Sequence, residues 1–158
     1  MTTQLLQPVQ GLRRSALMQS GADIFRRMCG LEIVPVVATW WPPSFVLATV
    51  PLEGRCSWML CLAVPRSVAP ELASRLNGFD IPYDSRDMDA AMETLADMIA
   101  ADLQDRLRRR GERIVPLSAR AQRHEDGFPL PALGDVVKQF TFDSHIGPLV
   151  LAVVETDR

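Results

Sequence analysis

The residues that invite a chemical reading lie along one stretch, Arg86 to Arg110. At about 100° per residue, the positions turned away from its apolar stripe are Ala90, Glu93, Thr94, Asp97, Ala101 and Gln104. This outer face is polar but short. An ordinary solvated face would carry long charged side chains, whereas small ones let another protein's backbone or a phosphoryl group come close. Other candidates are poorer. Ser144 and His145 pair a hydroxyl with a base, yet neighbours in sequence rarely face each other, and no carboxylate is placed to orient the ring. Trp40 and Trp41 offer a stacking platform, although two aromatics followed by Pro42 and Pro43 more often brace a turn. Cys29, Cys56 and Cys61 are odd in number and lack CxxC spacing, and His124 and His145 lie far from them, so buried thiols are expected and no metal site. The sequence contains no phosphate loop, GxGxxG, GxSxG or HExxH.

The elements that must position these residues can be read from periodicity and end signals. Met88, Met92, Leu95, Ile99, Leu103 and Leu107 make a single stripe. Asp87 and Asp89 stand in the first turn and Arg108 to Arg110 in the last, followed by Gly111, so Arg86–Arg110 reads as a long amphipathic helix. A first helix is expected over Leu12–Met28, ending at Gly30, and a short one over Val68–Leu76, capped by Ser67 and closed by Asn77-Gly78. Strands are expected at Leu31–Thr39, with Pro35 marking an edge, and at Ser44–Pro51 and Arg55–Val64, joined by a turn at Leu52–Gly54. Three more are expected at Arg113–Gln122, Asp135–Phe142 and Gly147–Glu155. Both halves read helix, then three strands, and Ile33-Val34-Pro35 returns as Ile114-Val115-Pro116 after the second long helix. The expectation is an α/β fold with a weak internal repeat: two long helices and a short one on an antiparallel six-stranded sheet, with the long helices on one face.

A chain of 158 residues with 47% hydrophobic and 23% charged residues suits one packed soluble domain over 1–158, and excludes a coiled coil or a disordered chain. A net charge of −2 argues against nucleic acid as the main partner. The amino terminus lacks a basic start and long apolar run, and no stretch approaches a membrane span, so a cytoplasmic protein with no membrane partner is expected.

Thr94-Leu95-Ala96-Asp97-Met98-Ile99-Ala100-Ala101 resembles the helix signature of the CheC/CheX family of chemotaxis phosphatases, Glu-Leu-x-Asn-Met-x-x-Gly. Ala22 to Glu32 resembles the family's first helix and its exit. Leu52-Glu53-Gly54-Arg55 through Val64-Pro65, followed by Leu72 to Gly78, resembles its turn, central strand and small helix, so the likeness spans roughly residues 15 to 155 in family order. The resemblance implies a phosphorylated CheY-type response regulator as partner and removal of its aspartyl phosphate as the activity. It also implies a homodimer and no cofactor of the chain's own, with Mg²⁺ supplied by the regulator. The family's Asn can both donate and accept, and so orient a water in line with phosphorus; its Glu engages a basic group of the partner.

Here the Asn position is Asp97 and the Glu position Thr94, which become the catalytic positions; Glu93, Ala90, Ala101 and Gln104 become the partner-binding ones. An ionised Asp accepts but cannot donate, and it sets a negative charge beside a phosphoryl group. The first helix offers no second site, since Arg13 and Ala16 fall where the repeat would place Thr94 and Asp97. Two readings follow: a regulator-binding module with weak or lost phosphatase activity, or an active, divergent phosphatase that uses Asp97 to position or activate water.

Overall fold

Ser85 begins the long helix as its pattern requires. Its extended backbone (φ −140°, ψ 156°) turns Oγ to accept the Met88 N–H at 3.2 Å, a side-chain N-cap. A computed structural model describes residues 2–37, 41–55, 57–125 and 133–156, with side chains from Ser15 onward. In it this helix, α3, spans Arg86–Arg109, with Arg110 as its cap and Gly111 in the left-handed region at φ 82°. Its buried stripe holds Met88, Met92, Leu95, Ile99, Leu103 and Leu107, and alanines at 91, 96 and 100 widen it.

The first helix, α1, spans Thr2–Cys29, beginning ten residues before the expected start at Leu12. Gly30 ends it at φ 60°. Its buried side runs through Ala16, Leu17, Ile24, Phe25 and Cys29, while Met28 lies one position off that line and is 37% exposed. The short helix α2 covers Ala69–Asn77 and closes on Gly78 at φ 80°. Ser67 does not cap it. The N-cap position is Val68, without a side-chain bond, and Pro70 in the first turn supplies the preset φ. Among the described residues no helix is long and apolar enough to cross a membrane.

Among the described residues the sheet is antiparallel throughout and has seven strands where six were expected. They are β1 (Val34–Val36), β2 (Phe45–Gly54), β3 (Trp58–Pro65), β4 (Ile114–Pro116), β5 (Arg120–His124), β6 (Asp135–Asp143) and β7 (Leu149–Glu155). The order is β1-β6-β7-β3-β2-β4, with β5 also on β2. The expected strand Arg113–Gln122 splits in two: Pro116 pairs with Leu52 and Arg120 with Thr49, so three residues of one ribbon face only two of the other. Pro51, opposite the break, has no N–H to give; its carbonyl accepts from Leu117 at 2.8 Å. The β2–β3 turn also moves. Leu52 pairs with Trp58, both buried, so β2 runs on to Gly54, and Leu52–Gly54 is strand rather than turn. Of the expected Leu31–Thr39 strand, the described residues end at 37, and among them Val34–Val36 pairs, at the edge that Pro35 implies. Trp40, Cys56 and most of the loop between β5 and β6 lie outside the described residues.

All three helices share one core with the side chains of one sheet face, among them Val46, Val50, Leu52, Leu60, Leu62 and Leu151. Phe45, Leu47, Cys61, Ala63, Val150, Ala152 and Val154 are buried on the opposite face, with Trp41, Met59 and Leu133 against them. Burial on both sides explains why β3 and β7 are nearly unbroken apolar runs.

The repeat seen in sequence is a repeat in space. Ile33 and Ile114 are both buried; Val34 and Val115 are exposed to 58% and 54%. The third strands, β3 and β7, pair at the centre, while each half's first strand joins the other half's second: β1 on β6, β4 on β2.

Candidate functional site

Helix α3 leans its polar side against the outer edge of the β4–β5 ribbon, and carboxylates spaced four residues apart meet that edge in order. Asp89 Oδ2 lies 3.5 Å from the Arg123 guanidinium. Glu93 Oε2 accepts the Ala121 amide at 2.9 Å, and Asp97 Oδ1 accepts the Ala119 amide at 3.2 Å. Two turns further on, Gln104 Nε2 donates to the Ile114 carbonyl at 3.0 Å. A strand edge left open is a template for unwanted pairing, and here acceptors on a helix cover it. Asp97 thus has a structural duty that needs only an acceptor.

Ala90, Thr94, Asp97 and Ala101 are exposed, as the helical arithmetic requires. Glu93 and Gln104, expected on the outward face, are half-buried and turned to the ribbon. Thr94 keeps its hydroxyl within the helix, where Oγ1 donates to the Ala90 carbonyl at 2.9 Å. What remains facing outward is a shallow strip: two alanine methyls, the Thr94 side chain and the Asp97 carboxylate.

No family model matches the sequence, and no curated protein matches it. Solved structures do. Chemotaxis protein CheX from Desulfovibrio desulfuricans superposes with a TM-score of 0.73 at 13% identity, covering 90% of this chain and 98% of that one. CheX from Vibrio vulnificus gives 0.77 at 12% identity, over 89% and 94%. The chain has the CheX fold. A third match is the CheX–CheY–BeF₃–Mg²⁺ complex from Borrelia burgdorferi, with a TM-score of 0.73 at 14% identity over 90% and 97%. The likeness runs nearly end to end, at identities where fold is what is shared.

Within this CheX-like frame the remaining sequence candidates serve packing. Ser144 Oγ donates to the Gly147 carbonyl at 2.7 Å and accepts the Ile146 amide, while His145 Nε2 stands 2.9 Å from Arg75 Nη2. Hydroxyl and imidazole are committed to different neighbours, so they form no nucleophile–base pair. Trp41 packs edge-on against Phe45 at 5.3 Å, and Phe45 stacks on His124 at 5.1 Å, bracing the sheet face away from the helices. Cys29 and Cys61 are buried thiols whose pKa values burial pushes up to about 11 and about 12; Arg75 pulls Cys29 slightly the other way.

The carboxylate row is what sequence reasoning missed. Its spacing, Asp89-x₃-Glu93-x₃-Asp97, was in plain view. The amides that it serves, Ala119 just before β5 and Ala121 within it, lie 22 and 28 positions from their acceptors, on an edge that no local pattern reveals.

Proposed function

We propose that this CheX-like domain is a signalling module that binds a CheY-type response regulator through the exposed strip of α3, with weak or lost activity toward the regulator's aspartyl phosphate. It acts in the cytoplasm as a homodimer, and the regulator carries the Mg²⁺.

One observation carries the reading: the groups at the two chemical positions are both spoken for, and neither offers an outward donor. The Asp97 carboxylate is held by the Ala119 amide, and the Thr94 hydroxyl proton goes to the Ala90 carbonyl. A water attacking in line with phosphorus has to be oriented by a group that can both donate and accept, which a carboxylate cannot do. Its charge also opposes the transition state. Two unit charges about 4 Å apart repel by about 1 kcal/mol in water and about 4 kcal/mol at a partly desolvated surface, or one to three powers of ten in rate. The shallow, small-residue strip suits close approach of a folded partner better than capture of a small molecule, because it encloses nothing. The regulator is chosen as partner because a solved relative of this fold is a CheX–CheY complex.

The test is phosphate release from a phosphorylated CheY-type regulator, alongside binding of the same regulator activated with BeF₃⁻. Binding is expected without acceleration by wild type, and Asp97→Asn combined with Thr94→Glu is expected to raise the rate at equal concentration. A fast wild type slowed by Asp97→Asn would instead make the carboxylate itself catalytic, as in the divergent-phosphatase alternative. Absence of binding would remove the regulator as partner.

A further inference from the structure

The charge on α3 is unevenly compensated. From Asp87 to Asp105 the helix carries six carboxylates, Asp87, Asp89, Glu93, Asp97, Asp102 and Asp105, and no Lys, Arg or His. Three of them have guanidinium partners: Asp89 has Arg123, Asp102 has Arg106 and, at 3.9 Å, Arg27, and Asp105 has Arg108. Glu93 and Asp97, one turn apart beside the exposed strip, have no ion pair among the described residues. What holds them is neutral. The amides of Ala121 and Ala119 satisfy one oxygen of each and leave the charge in place.

Asp97 therefore differs from an ordinary surface acid in two respects. Its Oδ1 is tethered to the ribbon at 3.2 Å, so the carboxylate cannot swing aside when an anion approaches, as a free side chain would. Its surroundings are also small. The exposed Ala90, Thr94 and Ala101 let a partner come close enough to meet the charge at short range rather than across several layers of water.

We infer that the α3 strip distinguishes the two states of its regulator and prefers the resting one, which carries Mg²⁺ but no phosphoryl group. This preference rests on the regulator reading above and gives it a direction. Phosphorylation replaces the single charge of an aspartate by the nearly two of a phosphoryl group. One added unit charge about 4 Å from a fixed carboxylate weakens docking about fivefold even at the dielectric of water, and more where the interface is dry. By linkage the factor is reciprocal. A regulator docked on α3 takes up a phosphoryl group, or its analogue BeF₃⁻, less readily by the same factor. The domain then holds regulator back from activation instead of ending activation by hydrolysis.

The full chain, as wild type, Asp97→Asn and Asp87→Asn, is titrated by calorimetry with a CheY-type regulator in Mg²⁺ alone and in Mg²⁺ with BeF₃⁻. Wild type is expected to bind the Mg²⁺ form about fivefold or more tightly than the BeF₃⁻ form, with the gap narrowing as salt is raised. Asp97→Asn keeps the acceptor that Ala119 requires and removes only the charge, so its gap should shrink toward unity. Asp87→Asn, about 15 Å away along the helix, should leave the gap as in wild type. In the reciprocal measurement, saturating wild type should raise by the same factor the BeF₃⁻ concentration that half-fills the regulator, read by fluorine NMR. Equal binding of both forms, tighter binding of the BeF₃⁻ form by wild type, or a gap that Asp97→Asn leaves unchanged overturns the preference and leaves the regulator reading standing. Binding of neither form overturns both.

Discussion

Asp97 illustrates how one side chain can answer to two demands. Its amide partner at Ala119 asks for an acceptor, which Asp and Asn supply equally well through Oδ1; phosphoryl chemistry asks for a donor too, which only Asn supplies. Asp97→Asn is therefore expected to leave stability within about 0.5 kcal/mol of wild type. Asp97→Ala should cost about 1 kcal/mol and speed hydrogen exchange at the Ala119 amide, both measurable by urea denaturation and exchange rates. Equal exchange at Ala119 in the two variants would mean that the bond contributes nothing. A second residue-scale effect concerns pH. Burial raises the Cys61 thiol from 9.0 to about 12, so between these values the unfolded chain has released a proton that the folded chain still holds. Stability is thus full below pH 9 and falls as pH rises through that window. Cys61→Ala should flatten the decline in chemical-denaturation midpoints measured above pH 9.

At the scale of elements, what was legible in the sequence was local. Ser85 and Gly111 bracket α3 because caps and positive φ are properties of a few adjacent residues, and the outward turn of Thr94 and Asp97 follows from 100° per residue alone. What was hidden depended on distant partners. The break between β4 and β5 arises opposite Pro51, and Glu93 and Gln104 turn aside from the outer face to meet carbonyl and amide groups of that broken ribbon. The run of β2 on to Gly54 likewise follows from Leu52 and Trp58 pairing across the hairpin. Gly54 belongs to this hidden class. A Cβ there would stand 2.7 Å from the Arg113 carbonyl oxygen, a backbone atom that can move only by loosening β4 from β2. Gly54→Ala is expected to cost about 1 to 3 kcal/mol, read as a lowered Tm, with faster exchange at the amides of Ile114 and Val115 as its local signature. A variant as stable as wild type would show that β4 is not held there.

For the whole molecule, the exchange of first strands decides cooperativity. Each half of the chain completes the other's sheet, and β3 and β7 share the centre, so neither half contains its own full set of partners. Fragments 1–81 and 82–158, expressed separately, are expected to lack dispersed amide spectra, while the intact chain unfolds in one transition seen alike by fluorescence and circular dichroism. An independently folded fragment would contradict this interleaving. The same repeat also counts equivalents. The doubling that produced two long helices did not double the strip among the described residues, because Ala16, which stands in α1 where Asp97 stands in α3, is fully buried. On the proposed function, a regulator bound at that strip would be taken up one per chain. The signal that such a protein can absorb before saturating is therefore set by how many copies the cell makes, not by how many helices each copy contains.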